Sequence, residues 1–374
     1  MCSATATPVP PAGGESPAGS SDWAQFLASR VPARTSAPVS PAASELQHLH
    51  CACVVCDLAQ GYALIEALGP DAAAFLHGQL SSDVAALGPE RAQLSTYNSP
   101  KGRVLATLLL WRSAEGFVLQ LPAATAASIA KRLSMFVLRS KVRLTPSARF
   151  IRLGLTGASA AQTLAAAEVA LPHTDFGLVG AGVASAADAP DWVLRLPGTR
   201  YELVFSDAGR AVALWQRLCS AGAQAGNGAA WQWASIRSGI ADIVAETQDQ
   251  FVLQMLNYDL LGGVSFNKGC YPGQEIVART QYRGETKRRT LLLHAQTQDA
   301  PVPAQSVHAV RSPGQPIGTV LAAAAAPGGG FDALACVHLD LAENSELRLG
   351  RVDGPALQRL NLPYALPYAL PAAR

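Results

Sequence analysis

The sequence predicts an α+β chain of several domains that ends in a small β-barrel or sandwich, of which the barrel is expected. Three observations lead there. The chain has 374 residues, enough for two or three domains with cores of their own. Hydrophobic residues make up 49% and charged residues only 15%, so the chain is apolar enough to fold. Helix-like and strand-like periodicities alternate up to about residue 286, and beyond it only strand patterns follow.

Taken in order, residues 1–46 are a Pro/Ala/Ser/Gly mixture with scattered charges. Such a segment buries too little apolar surface to offset its ordering entropy, so it is expected to be disordered. A first α+β domain is expected over 47–148. "YALIEALG" (62–69) reads as a strand. "GPDAAAFLHGQLSSDVAALG" (69–88) reads as a helix started by Asp71, with Ala74, Phe75, Leu76 and Leu80 as its buried stripe. "RVLATLLLW" (103–111) and "GFVLQLP" (116–122) form a hairpin turned at Ser-Ala-Glu-Gly. A helix follows over about 124–137, then a strand at "SKVRLTPS" (140–147).

Residues 149–228 read as a ferredoxin-like module: a strand at "FIRLGLTG", a helix at 158–169, strands at "WVLRLP" and "YELVF", and a helix at 208–221. A return segment, 229–286, opens with the helix "WQWASIRSGI" (231–240) and completes the first domain. Residues 287–374 carry the strand patterns of the barrel, and the nine-residue "LPYALPYAL" near the end is too short for a solenoid.

Composition excludes some roles. Net charge is only +2, from 29 basic and 27 acidic residues, so no direct nucleic-acid partner is expected, although a local basic patch stays open. No apolar run approaches the ~20 residues of a membrane-spanning helix, and no secretory signal is visible, so no membrane partner is expected. Cys2, Cys51, Cys53 and Cys56 lie near the start, while Cys219, Cys270 and Cys336 stand alone. That is no disulfide framework, and reduced thiols fit a cytoplasmic protein.

The chemistry concentrates in 251–289, which holds five glycines and many amide and basic side chains. Within it lies "KGCYPGQE" (268–275). Pro272 suits the first position of a helix running through "GQEIVAR". Cys270 would then sit ahead of the positive end of that helix, with Lys268 adding a second positive charge. Both favour a thiolate, so Cys270 reads as a reactive thiol or a metal-facing sulfur. A lone cysteine is more often a small buried hydrophobe, but the flanking glycines and Lys268 favour the reactive reading. A Cys–His nucleophile would need a placed histidine, and His294, His308 and His338 follow without recognisable spacing. "HLHCACVVC" (48–56) offers metal donors, but no second pair follows and Cys51, Cys53 and Cys56 cannot share one strand face, so no metal site is expected. "RTQYRGETKRR" (279–289) gathers Arg279, Arg283, Lys287, Arg288 and Arg289, either as a solvated face or as a polyanion site. Trp231 and Trp233 are core residues or stacking surfaces.

Lys268, Gly269, Cys270, Tyr271, Gly273, Gln274 and Glu275 match the signature K-G-C-Y-x-G-Q-E. Gln254, Asn257, Val277–Arg279, Arg283, Gly284, Lys287, Arg288, "KGR" (101–103) and a terminal "LPY" extend the match. On these residues the chain resembles the YgfZ-type folate-binding proteins, a family related to the T-protein (aminomethyltransferase) of the glycine cleavage system. The likeness runs from about residue 57 to the C-terminus and is densest over 231–289. It implies a T-protein-like, three-domain arrangement around a central cavity that binds tetrahydrofolate. It also implies a role in assembling or maintaining iron–sulfur enzymes, including one that thiomethylates tRNA, with folate and iron–sulfur client proteins as partners. The family's two folate-contacting Trp positions fall on Trp231 and Tyr62, a phenol standing for an indole at the second. If the cavity faces the basic run, Arg279, Arg283, Lys287 and Arg288 are candidates to hold the glutamate tail of folate. T-proteins carry an acidic pair where this chain has Ala106 and Thr107, which argues against the alternative, a folate-dependent aminomethyltransferase-like enzyme.

Overall fold

The computed structural model describes residues 18–30, 45–47, 49–180, 188–283, 286–312 and 314–367. Its first element corrects an expectation: where disorder was predicted, helix α1 (Ala18–Arg30) is formed. The reason is an apolar triplet on one face, Trp23, Phe26 and Leu27. The Trp23 ring stacks on Phe26 at 5.5 Å and meets the edge of Trp215 at 5.8 Å, and the Trp23 indole donates to Asp57 Oδ1 at 3.2 Å.

Strand β1 (Cys53–Asp57) also departs from the expected division. It does not join the strands that follow it but pairs with β7 (Ile151–Gly157) and β11 (Ala223–Ala225). These three belong to a six-stranded sheet completed by β8 (Leu178–Gly180), β9 (Trp192–Leu196) and β10 (Arg200–Phe205), in the order β11-β1-β7-β10-β9-β8. Its register is antiparallel except for β1 beside β11. The expected strands β7, β9 and β10 and both expected helices are formed, but the short strands β8 and β11 were not expected, and β1 is inserted from outside the segment.

A five-stranded sheet, ordered β3-β4-β5-β2-β6, contains β2 (Tyr62–Leu68), β3 (Ala92–Asn98), β4 (Val104–Ser113), β5 (Gly116–Pro122) and β6 (Arg143–Ser147). β4 is apolar on both faces because both are covered. Ala106, Leu108 and Leu110 face helices α2 (Ala72–Gln79) and α3 (Ala123–Ser134), while Leu109 and Trp111 face a core shared with the second sheet. The α2 helix is shorter than predicted. It stops at Gln79 because Leu80 turns extended, and the Ser81 hydroxyl is taken by Gly263 O and the N–H of Thr96. Nor does Asp71 cap it: its carboxylate accepts the N–H of Lys141 at 2.6 Å.

Helices α4 (Ala160–Ala166) and α5 (Ala208–Ser220) cover one face of the six-stranded sheet beside α1. On the other face lies α6 (Ala229–Arg237), whose Trp231 enters the shared core. Gly154 in β7 makes room for it: a Cβ there would lie 2.6 Å from Trp231 Cε3. The chain then returns to the first sheet, where Val104 N–H donates to Phe251 O at 2.8 Å. Gln254 and Asn257 of the resemblance are fully buried ties, donating to Val277 O and Thr290 O. Tyr364 of the terminal "LPY" donates to Gly239 O at 2.7 Å.

The C-terminal part is the predicted barrel. β12 (Arg288–Ala295), β13 (Ser306–Ala309), β14 (Gly318–Ala325), β15 (Phe331–His338), β16 (Leu347–Leu349) and β17 (Ala356–Leu360) close in the order β12-β15-β14-β13-β16-β17. One short helix, Leu339–Glu343, interrupts the expected all-strand pattern. Among the described residues no helix is long and apolar enough to cross a membrane.

Candidate functional site

The seam between the two sheets and α6 encloses a small cavity. Tyr62 at the start of β2, Gln120 of β5, Arg200 of β10, Trp231 and Ser235 of α6, Asp242 and Tyr258 line it. The two positions expected to contact folate, Tyr62 and Trp231, are therefore brought together. Asp242, which no sequence pattern singled out, holds the polar end. The Tyr62 hydroxyl donates to its Oδ2 at 2.8 Å and the Thr107 hydroxyl to its Oδ1 at 3.2 Å. Ile243 N–H donates in turn to Thr107 Oγ1 at 3.0 Å, which orients that hydroxyl toward the carboxylate. A carboxylate from the return segment thus stands against a β4 position that itself lacks one.

Burial raises the Asp242 pKa above its ordinary 3.8, with the two hydroxyls and Arg200 pulling the other way. Burial pushes the Tyr62 phenol well up, and the Asp242 charge adds to the rise. The Arg200 guanidinium is fixed by Pro197 O, Ser235 Oγ and Ser238 Oγ at 2.9, 2.7 and 3.1 Å and lies 5.3 Å from the Trp231 ring centre. Burial lowers its pKa, offset in part by Tyr62 and Asp242. An arginine remains charged under these conditions.

The lining suits a flat heterocycle with N–H donors along one edge. A carboxylate accepts such an edge, Trp231 offers an apolar ring, and Trp231 Nε1 is buried without an acceptor among the described residues. Such an orphaned donor costs about 1–3 kcal/mol, which a ligand carbonyl would recover. The free volume is only about 50 Å³, room for a few waters.

The signature loop lies elsewhere, and no residue of 268–275 lines the cavity. Its shape is set by two glycines in contact. Gly273 has φ +78° and a Cβ there would lie 2.5 Å from Ser99 O; Gly102 of "KGR" has φ +69° and a Cβ there would lie 2.7 Å from Ile276 Cβ. Helix α7 (Gln274–Arg283) begins just after, with Val277 N–H donating to Gly273 O at 3.2 Å. Pro272 is not its first residue, and Cys270 precedes Gly273 by three positions. Lys268 is engaged elsewhere. Its ammonium donates to the carbonyls of His77, Leu80 and Ser82, closing the end of α2, and lies 5.0 Å from the Tyr271 ring centre. Burial lowers its pKa to about 8, Asp83 opposing. Burial pushes the Tyr271 phenol up to about 12.

Cys270 itself is exposed, whereas Cys53, Cys56 and Cys336 are buried. Among the described residues Gly269 faces His77, whose Nε2 lies 3.8 Å from where a Cβ would stand and whose Nδ1 lies 3.2 Å from Asp83 Oδ1. His77 escaped the sequence reading because it precedes the loop by some 190 positions; His294 and His308 instead bond to Asp332 and Ser306. Glu275 is exposed and pairs with Arg279 at 3.0 Å, a surface pair worth about 0.3–0.5 kcal/mol.

The basic run divides. Arg289 is buried in a two-pronged pair with Asp259 at 2.6 and 2.9 Å. Arg279, Lys287 and Arg288 line an open cleft with Arg103, and this cleft shares no lining residue with the Trp231 cavity. The Arg283 side chain lies outside the described residues.

Two β-sheets packed face to face around a cavity with a polar end and apolar walls, with a closed barrel appended, define an aminomethyltransferase-type fold. The family model described as the GCVT N-terminal domain matches residues 23–232. The solved glycine cleavage system aminomethyltransferase T from Bartonella henselae superposes with a TM-score of 0.69, covering 87% of this chain and 90% of that one. At 21% identity that likeness speaks for the fold alone. Two curated proteins called tRNA-modifying protein YgfZ are closer in sequence. The one from Edwardsiella ictaluri is 32% identical over 302 residues, 80% of this chain and 89% of that protein. The one from Yersinia enterocolitica is 31% identical over 307 residues, 82% and 91% of the two chains. The chain belongs to the YgfZ family.

Proposed function

We propose that this protein binds tetrahydrofolate or a related folate in the Trp231 cavity and acts as an accessory protein for iron–sulfur enzymes, among them one that thiomethylates tRNA. The observation that carries the folate reading is the convergence of Tyr62, Asp242, Arg200 and Trp231 on one cavity. The names of the curated relatives support the link to tRNA modification. A folate supplies a carrier of one-carbon units. Asp242 would accept its N–H edge, Trp231 would stack on its ring, and Arg200 would keep that indole in place. Cys270 is the working thiol in this reading. Being exposed and outside the cavity lining, it is presented to a client protein rather than to the ring. The cytoplasm, where thiols stay reduced, is the proposed location.

Tetrahydrofolate titration followed by Trp fluorescence tests the first part: saturable quenching is expected for the wild type and a large loss of affinity for Trp231→Ala. Cys270→Ala is expected to bind folate normally yet fail to restore iron–sulfur enzyme activity in a deletion strain. Full rescue would reject the role of the thiol.

One observation favours a second reading, aminomethyl transfer on folate. Ala106 and Thr107 lack a carboxylate, but Asp242 brings one to Thr107. Turnover of a glycine-derived aminomethyl donor to methylene-tetrahydrofolate, abolished by Asp242→Asn, would establish it.

A further inference from the structure

We propose that the cleft beside α7 is a second ligand site, separate from the folate cavity, and that it takes a nucleotide through its phosphates. Its walls carry four cations, Arg103, Arg279, Lys287 and Arg288, delivered by the turn before β4, by α7 and by the start of β12 with the residue before it. In a chain whose net charge is +2, that is a concentrated field. Among the described residues only Arg279 has a carboxylate partner, the exposed Glu275. Arg103 donates to a carbonyl, Gln250 O, at 2.8 Å. Four cations gathered with one exposed carboxylate among the described residues repel one another, and a bound polyanion relieves that repulsion.

The shape narrows the anion. The cleft holds about 620 Å³, within the range of roughly 300–1,000 Å³ usual for small-molecule sites. Val252, Met255 and Ile276 give it an apolar wall, and His338 adds an imidazole whose Nδ1 is buried without a partner among the described residues. A bare inorganic anion has no use for an apolar wall. A polyglutamate tail brings carboxylates but no flat ring to lie on that wall. A nucleotide satisfies both parts: its base lies on Val252, Met255 and Ile276, and its phosphates meet Lys287, Arg288 and Arg103. The low overall charge predicted no nucleic-acid partner; the folded chain concentrates its cations where a strand could still be held locally.

The same chemistry is offered by a free nucleoside phosphate and by one nucleotide of an RNA strand, and the experiment separates them. The full-length protein is titrated by fluorescence anisotropy with a labelled ATP analogue and with a labelled single-stranded RNA octamer. Inorganic phosphate and pentaglutamate serve as competitors. The wild type is expected to bind at least one probe, and Lys287→Glu/Arg288→Glu is expected to weaken it at least tenfold. If the octamer binds, the variant's log–log salt slope is expected to flatten by about 0.7 for each lost phosphate contact. Binding of the ATP analogue assigns the site to a free nucleotide, and binding of the octamer alone assigns it to a strand. The proposal is overturned if neither probe binds, if the variant binds as well as the wild type, or if either competitor displaces the probe as effectively as unlabelled nucleotide. Tetrahydrofolate titration by Trp fluorescence is expected to be the same in both proteins, so this result stands apart from the folate reading. Arg103→Gln/Arg279→Gln repeats the test should charge reversal disturb folding.

Discussion

The Tyr62 hydroxyl meets the Asp242 carboxylate at 2.8 Å, joining the first residue of β2 to a segment 180 positions further along the chain. The pair is both a wall of the cavity and a brace between distant parts of the fold. Tyr62→Phe keeps the ring and removes the donor, leaving one oxygen of a buried acid unpaired. A loss of about 1–3 kcal/mol is expected in urea unfolding. An unchanged midpoint would show that the bond is not formed.

Asp242 also sets a pH dependence. Its folded pKa is raised above the ordinary 3.8 by burial. Between those two values the folded chain holds the proton more tightly than the unfolded chain. Raising the pH through that window therefore favours unfolding, and the penalty is constant above the raised pKa. Asp242→Asn lacks this term. Compared with the variant, the wild type is expected to lose stability as pH climbs from about 4 and then to level off. Parallel urea titrations across pH check it, and a gap widening in favour of the wild type would contradict it.

Gly154 bears on the Trp231 cavity without lining it. A Cβ at this position would stand 2.6 Å from Trp231 Cε3 and 2.7 Å from Leu58 Cδ2. Gly154→Ala is expected to push the indole toward the cavity, destabilise the fold by about 1–3 kcal/mol and weaken tetrahydrofolate binding. Fluorescence titration beside a thermal melt measures both. Folate affinity equal to that of the wild type would mean that the indole position does not control the cavity.

The thiols are expected to separate by accessibility. Cys270 and Cys51 are exposed, while Cys53, Cys56 and Cys336 are buried. Under native conditions N-ethylmaleimide is expected to label the first pair within minutes and the buried three only after denaturation, as read by peptide mass mapping. Early labelling of Cys336 would show that the barrel opens.

Much of the architecture was legible because it rests on local pattern. β4 announced itself through "VLATLLLW", and the barrel through strand patterns broken by turns. What escaped depends on contacts between residues far apart in sequence. Nothing local says that β1 pairs with β7 rather than with its own neighbours. Composition hid α1, because averaging over an Ala/Ser/Pro-rich stretch dilutes Trp23 and Phe26, the residues that hold it. The site divides in the same way. Tyr62 and Trp231 were reached through the family resemblance, whereas Asp242 depends on partners 180 and 135 positions away. Lys268 was read against its neighbour in the sequence, Cys270. Its ammonium turns instead to three carbonyls at the end of α2.

Helix α1 pairs with no strand; Trp23 and Phe26 lean on Trp215, and one indole bond reaches Asp57. A shortened recombinant version starting beyond Arg30 would strip that lid and leave the Trp215 ring wet. Such a truncate is expected to clump on storage while its far-ultraviolet spectrum stays almost intact, so a poor yield from it would reflect lost shielding rather than failed folding.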